Sequence, residues 1–223
     1  MVDSHQAIYE LIIQAGHLNG DAIYMFEKPG GKKTICHAKD LFKNITALEK
    51  EALKNIRRGD RILDIGAGGG RISFYLQEKG YDITALEKSK LICQVLRERG
   101  FKKIVNKDLF SYHPSRRYGV ILLVKVYSAF GQSKEDAVEL IKFLANNLIE
   151  KNGKLIIVLA NLGRKVEKIK RRFVFQNKIG PWFESFYPPF PILVQLAKEN
   201  GFTLEKYKWS SNRKEYFLIL RRD

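Results

Sequence analysis

The sequence predicts an α/β fold: a mostly parallel sheet covered by helices on both faces, closed by a C-terminal antiparallel hairpin and preceded by a helical extension. Three observations carry this. From Asp60 onward short apolar runs alternate with segments of helical period, the pattern of parallel strands joined by crossover helices. A glycine-rich turn follows the first of those runs and opens the first of those helices, at the strand end where an open sheet holds its ligand. Finally, two extended runs near the end of the chain are separated by a short polar stretch beginning Ser210-Ser211-Asn212-Arg213. That spacing reads as a hairpin added at the sheet edge.

Taken in order, residues 4–18 place Ile8, Leu11, Ile12, Ala15 and Leu18 at helical spacing. Asn19-Gly20 and Pro29-Gly30-Gly31 mark turns around a short extended piece within 19–37. A second helix is expected over roughly 39–57, with Leu41, Ile45, Leu48 and Leu53 on one side. Arg61–Ile65 is the first strand of the sheet, Arg71–Lys79 a helix and Asp82–Leu86 the second strand. Lys88–Arg99 is a helix ended by Gly100, and Lys102–Asn106 the third strand. Val120–Val126 is the most apolar strand, Lys134–Glu150 a long helix and Lys154–Leu159 the fifth strand. After an insert over 161–190, Phe190–Asn200 reads as a helix stopped by Gly201, and Phe202–Trp209 and Glu215–Leu220 as the hairpin.

Composition bounds the function. Of 223 residues, 45% are apolar and 12% aromatic, enough for a substantial core, which excludes a disordered chain. Cys36 and Cys93 stand alone, with no CxxC or CxH pair, so neither a secreted disulfide framework nor a structural zinc site is expected. No run approaches the length of a membrane span, the first residues carry acids where a leader would be basic, and no repeat is present. The expectation is a cytoplasmic domain with no membrane partner. Forty Lys and Arg against 24 Asp and Glu give a net charge of +16, which suggests RNA or another polyanion as a partner.

The glycine turn reads Leu63-Asp64-Ile65-Gly66-Ala67-Gly68-Gly69-Gly70-Arg71. Glycines here let the backbone approach a ligand with no Cβ in the way. A dinucleotide GxGxxG begun at Gly66 would need glycine where Arg71 stands, and no phosphate loop GxxxxGK[ST] is present. What remains is Asp-x-Gly-x-Gly-x-Gly at Asp64, Gly66, Gly68 and Gly70. An acid in the turn opposes phosphate and favours a cationic ligand.

With the segment LDIGAGGGRISFYLQEKGYDITALEKS, the chain resembles the class I S-adenosylmethionine-dependent methyltransferases, and its wording is close to that of bacterial and archaeal members whose substrates are mostly unassigned. The resemblance covers roughly 58–160. It implies a Rossmann-like three-layer sandwich, S-adenosylmethionine as cofactor, and a division into an acceptor-side cap over 1–57 and a methyltransferase domain over 58–223. It also implies that Glu87, 21 residues beyond Gly66, accepts from the ribose hydroxyls, and that Asp108 accepts from the adenine amino group. Ala67, Lys88 and Leu109 flank these positions and complete the expected cofactor set. The charge agrees, because S-adenosylmethionine carries a net positive charge and no phosphate, while Asp64, Glu87 and Asp108 stand at three consecutive strand ends.

The acceptor is expected beyond the fourth strand, which ends Leu123-Val124-Lys125-Val126-Tyr127. The proline pair of amino-directed base methyltransferases is missing there, as is a cysteine for carbon-5 chemistry, and Lys125 stands where metal-assisted transfer needs acids. No metal is expected. Lys125 is a candidate to orient an anionic acceptor or take a proton, and Tyr127 to contact cofactor or acceptor; Ser128 could donate to the methionyl carboxylate. His37 and His113 read as surface residues without a role. The insert carries seven cations over Arg164–Lys178 against Glu167 alone, and aromatics from Phe173 to Phe190 follow or interleave. Functionally that pattern suits phosphates and stacked bases; structurally it suits a solvated helix face leading into a loop packed on the core. The expected function is methyl transfer to an O or N atom of a small or medium acceptor by in-line displacement. The alternatives are an RNA-directed methyltransferase using 164–178, and a non-catalytic cofactor- or polyanion-binding module.

Overall fold

The computed structural model describes residues 4–43, 45–163 and 168–223. In chain order its elements are α1 (Ser4–Asn19), β1 (Ile23–Glu27), β2 (Lys33–His37), α2 (Ala47–Leu53), β3 (Arg61–Ile65), α3 (Arg71–Glu78), β4 (Asp82–Leu86), α4 (Lys90–Glu98) and β5 (Ile104–Val105). They continue with β6 (Tyr118–Val124), α5 (Lys134–Phe143), β7 (Ile149–Ala160), β8 (Lys168–Phe175), β9 (Lys178–Ile179), β10 (Phe183–Phe186), α6 (Phe190–Glu199), β11 (Phe202–Trp209) and β12 (Glu215–Arg222). Single-turn helices lie at Ala38–Leu41, Leu109–Ser111 and Tyr127–Phe130. No described helix is long and apolar enough to cross a membrane.

The main sheet runs β11-β12-β7-β6-β3-β4-β5. Strands β7, β6, β3, β4 and β5 are mutually parallel, and the hairpin closes the edge with β12 antiparallel to β7. Alternation along the strands splits the core into two layers. Leu63, Ile121, Leu123, Leu155 and Ile157 pack with Leu140, Ile141, Leu193 and Leu196 of α5 and α6. Ile62, Val120, Leu122, Ile156 and Val158 pack with Leu53, Ile72, Leu76 and Leu96 of α2, α3 and α4. Apolar side chains on both faces are what a parallel sheet covered on both sides requires, and each fully buried one contributes about 1.5–3 kcal/mol. This is the parallel sheet covered on both faces that the strand pattern predicts, and the three-layer Rossmann-like sandwich that the resemblance implies.

Three elements differ from expectation. The helix expected over 39–57 is confined to α2. A capping box between Thr46 and Glu49 starts it, and Asn55 Nδ2 donates back to the carbonyls of Glu51 and Ala52 to end it. The long helix after β6 stops at Phe143, passes through one wide turn, and Ile149 already pairs with Tyr118 as the start of β7. The third difference is the largest. Among its described residues the insert is strand and not helix: β8 takes up 168–175 of the basic segment and pairs with β1, far upstream. Strands β10-β8-β1-β2, with β9 on β8, form a second, antiparallel sheet. The chain's first part and its insert are therefore one structural unit. Helix α1 lies across that sheet, burying Ile8 and Ile12 against Tyr24, Phe173 and Phe175, while Ile13 meets Ile92 and Val95 of α4.

Candidate functional site

The turn between β3 and α3 holds the backbone in the left-handed region at alternate residues: φ is +66° at Gly66, +53° at Gly68 and +81° at Gly70, which caps α3. Space is limiting as well. A Cβ on Gly66 would lie 2.8 Å from Val126 Cγ1, and one on Gly68 would lie 2.9 Å from the Tyr9 hydroxyl. The alternating glycines of the sequence are thus demanded by both conformation and close approach. Ala67 sits between them, half-buried.

Two buried acids face this turn from below and from the side. Asp64, on the α3 face of β3, accepts from the Ser73 hydroxyl at 2.6 Å. Burial pushes its carboxyl up from 3.8 to about 6, with the neighbouring charge of Glu87 adding to the rise. Glu87, at the end of β4, accepts the N–H of Gly68 at 3.2 Å and that of Ser89 at 3.0 Å. Burial raises it too, against those backbone hydrogen bonds. Its two oxygens offer about four lone-pair sites; the two N–H bonds leave acceptor capacity for vicinal hydroxyls of a ligand. Asn106 fixes the strand end by donating to the carbonyls of Glu87 and Lys88, while the Lys88 side chain is exposed.

Asp108 stands beyond β5, exposed, and its carboxylate caps the turn Leu109–Ser111 by accepting from the Phe110 N–H at 3.0 Å. Leu109 is half-buried and packs on the core. Asp64, Glu87 and the glycine turn stand together, with Glu87 bonded to the turn at Gly68 and its charge felt at Asp64; Asp108 lies at the next strand end along the same rim.

Lys125 follows β6 with φ +59°. Its ammonium does not stand open in the cleft: it reaches Glu215 at 2.7 Å and Glu49 at 3.4 Å. Glu49 is fully buried and also takes both guanidinium nitrogens of Arg71, at 2.6 and 2.7 Å. Burial alone would raise Glu49; the hydrogen bonds and charge of Arg71, with the charge of Lys125, bring it below the usual carboxylate range. Glu49 thus ties α2 to the start of α3 and the end of β6, on either side of the glycine turn. Tyr127 and Ser128 begin the helical turn after β6, and their side chains lie outside the described residues, as do residues 164–167 of the basic segment. Cys93, beneath the rim, donates to the Glu87 carbonyl, and burial pushes its thiol up to about 11, unsuited to a thiolate nucleophile. The His37 ring nitrogen Nδ1 lies 3.0 Å from an Asp21 carboxylate oxygen, and His113 packs on Phe143.

Sequence reasoning missed Tyr9. It projects from α1 to the glycine turn, packs on Phe173 of the second sheet at 5.7 Å, and is raised by burial and then by the charge of Glu87. An aromatic beside Ile8 on an apolar helix face carries no chemical signature, so only the fold could show it. Glu49 was missed for a similar reason, being 76 positions from Lys125.

A family model described as a methyltransferase domain matches residues 37–207. No curated protein matches the chain. Among solved structures, an S-adenosylmethionine-dependent methyltransferase from Bacteroides fragilis, in complex with S-adenosyl-L-homocysteine, superposes with a TM-score of 0.82 at 22% identity, over 100% of this chain and 97% of that one. The CcbJ methyltransferase from Streptomyces caelestis gives 0.62 at 13% identity over 77% and 87%. The glycopeptide N-methyltransferase MtfA, complexed with S-adenosyl-L-homocysteine, gives 0.60 at 16% identity over 79% and 88%. At these identities the likeness is one of fold.

Proposed function

The chain belongs to the methyltransferase-domain family, and from that premise we propose that it binds S-adenosylmethionine at the glycine turn and methylates an oxygen or nitrogen of a small or medium acceptor. The observation that carries this is the pair of buried acids, Asp64 and Glu87, beneath a turn whose alternating glycines leave no room for a Cβ. Two carboxyls raised by burial favour a cationic ligand over an anionic one. The residues present therefore fit the cofactor that the resemblance implies and that solved neighbours of this fold hold.

Bound there, S-adenosylmethionine would supply an electrophilic methyl group for in-line displacement. The chain's own residues bind and align. Glu87 would accept from vicinal hydroxyls with the lone pairs its backbone donors leave, and Asp108 from an amino group at the next strand end. Glu49 holds Arg71 and Lys125 in position at the rim; fixed alignment can supply much of what such a transfer needs. We assign Lys125 a positioning role through Glu49 and Glu215, and keep Tyr127 as a candidate contact to the acceptor. Tyr9 and the second sheet would exclude water on the open side of the turn.

The small acceptor is favoured over RNA because two of the insert's cations are engaged in the fold: Arg171 lies over Phe26, and Arg172 pairs with Glu27 and lies over Trp182. One observation keeps the RNA reading as a second. An open groove of about 1040 Å³ between α2 and the hairpin is bordered by Lys50, Lys208 and Lys214, whose ammonium groups make no ion pair among the described residues. Incubation with methyl-labelled S-adenosylmethionine and separated cell fractions tests the two. The proposal expects label in the small-molecule fraction; label confined to RNA overturns it in favour of the second reading.

A further inference from the structure

The second sheet turns Tyr24, Phe26, Phe173 and Phe175 inward, toward Ile8 and Ile12 of α1. Successive residues of a strand alternate faces, so Ile23, Met25 and Val174 point outward. Residues directly opposite in an antiparallel pair share a face. The register sets Ile35 opposite Met25, Met25 opposite Val174, and Val174 opposite Ile179. One apolar row therefore crosses β2, β1, β8 and β9 on the side away from α1. Its ends, Ile35 and Ile179, are 67% and 61% exposed, and three strand spacings put them about 14 Å apart. Ile23, beside the row on β1, is 59% exposed, and Trp182, beneath the Arg172 guanidinium at 4.5 Å, is 38% exposed. Four of the seven large apolar side chains exposed among the described residues thus share one face of the smaller sheet. Exposed apolar groups gathered in this way mark an interaction surface.

Cations frame the row. Lys28 and Lys32 stand exposed in the β1–β2 turn, Lys33 at the start of β2, Lys170 on β8 and Lys178 beside Ile179 on β9. None of their ammonium groups makes an ion pair among the described residues. Of the acids on the outer side of these strands, Glu27 is tied to Arg172 at 3.1 Å, which leaves Glu184 opposite Lys170. The face is apolar at its centre and positive around it.

We propose that this face docks on an anionic lipid surface, with Ile23, Ile35 and Ile179 entering the apolar boundary, Trp182 at headgroup level and the lysines against the headgroup phosphates. Isoleucines that project singly, with smaller exposure between them, give a protein partner no recessed patch to fill. A fluid interface accepts them without matched shape. Unpaired ammonium groups suit its diffuse negative charge, and an indole suits the boundary between headgroup and acyl chain. A net charge of +16 opposes pairing of this basic face with its own copy. Such docking needs no spanning helix, and no described helix is one; the expectation of no membrane partner, drawn from run length, does not bear on it. The inference does not depend on the methyl-transfer reading.

Sedimentation of the full-length protein with vesicles tests it, using phosphatidylcholine alone and phosphatidylcholine with about a third phosphatidylglycerol. The mixed vesicles should bind at least about tenfold more tightly than the neutral ones. Ile35→Thr combined with Ile179→Thr keeps strand propensity at exposed positions and should weaken that binding at least about tenfold. Lys32→Gln combined with Lys33→Gln should weaken it at least about fivefold. Lys102→Gln combined with Lys198→Gln removes the same charge from exposed positions before β5 and in α6, and should change it by less than about twofold. Circular dichroism melting of all three variants should match the wild type. Absence of binding to the mixed vesicles, or equal binding to both kinds, overturns the proposal. Undiminished binding of the isoleucine variant overturns it too, because only the general attraction of a basic chain would remain. A wild-type dimer in sedimentation velocity that the isoleucine variant lacks would give the face to a second copy and overturn it likewise.

Discussion

Replacing Asp64 by asparagine should stabilise the ligand-free protein above pH 6 while weakening its hold on a cationic cofactor. Asp64 is 3% exposed, and burial raises its carboxyl from 3.8 to about 6. Because the folded value lies above the unfolded one, the folded state retains a proton between about pH 4 and pH 6 that the unfolded state has released. Stability therefore falls as pH rises through that window and levels off above it. At 1.36 kcal/mol for each pH unit of the gap, the ionised form costs up to about 3 kcal/mol. Asparagine removes the ionisation and still accepts from Ser73. Urea unfolding of both proteins at intervals from pH 4 to pH 8 should show a stability difference near zero at pH 4, growing in favour of Asp64→Asn to as much as about 3 kcal/mol, then constant. A difference independent of pH, or a variant less stable than the wild type at pH 8, would refute the argument that this acid is held at an energetic cost.

Glu49→Ala should destabilise by about 3–5 kcal/mol in chemical denaturation, because it leaves Arg71 and Lys125 without their shared buried carboxylate. The folded pKa of Glu49 is depressed, so its contribution is full above the unfolded carboxylate range and is lost as pH falls through the folded value; the variant should show a shallower acid-unfolding limb. Lys125→Met should cost about 1–3 kcal/mol of stability yet leave methyl transfer measurable, and complete loss of turnover with a native melting profile would contradict its positioning role. Gly68→Ala should weaken cofactor binding and cost about 1–2 kcal/mol for left-handed strain. Tyr9→Phe in the same chain should recover part of that loss by removing the hydroxyl that the new Cβ meets, and strictly additive effects of the two changes would sink this contact.

The main sheet was legible because each strand announces itself locally. Arg61–Ile65 and Val120–Val124 are apolar runs stopped by glycine or followed by a turn, and a parallel strand buried on both faces needs nothing else. The glycine turn and Glu87 were legible for the same reason: their spacing is set by one strand-turn-helix unit. The second sheet was not. Its central pairing joins Phe26 to Phe173, and nothing local in 168–175 marks a strand, since the lysines and arginines on its outer face make the segment read as a charge run. The alternation that betrays it, Ile169, Arg171, Phe173 and Phe175, has a cation at one inward position. Tyr9 and Glu49 act through partners distant in sequence, and no spacing rule reaches that far. The opening charge of +16 is likewise resolved only in space: the cofactor rim is acidic, and part of the basic insert is turned inward.

The central claim is that the glycine turn and Glu87 bind S-adenosylmethionine. Isothermal titration of S-adenosylmethionine into the wild type and Glu87→Ala, each first shown by circular dichroism to be folded, tests it most directly. The wild type should show one saturable site per chain and the variant at least about a tenfold loss of affinity, the effect of removing a charged hydrogen-bond acceptor. No heat of binding to the wild type, or equal affinity in the two proteins, would contradict it.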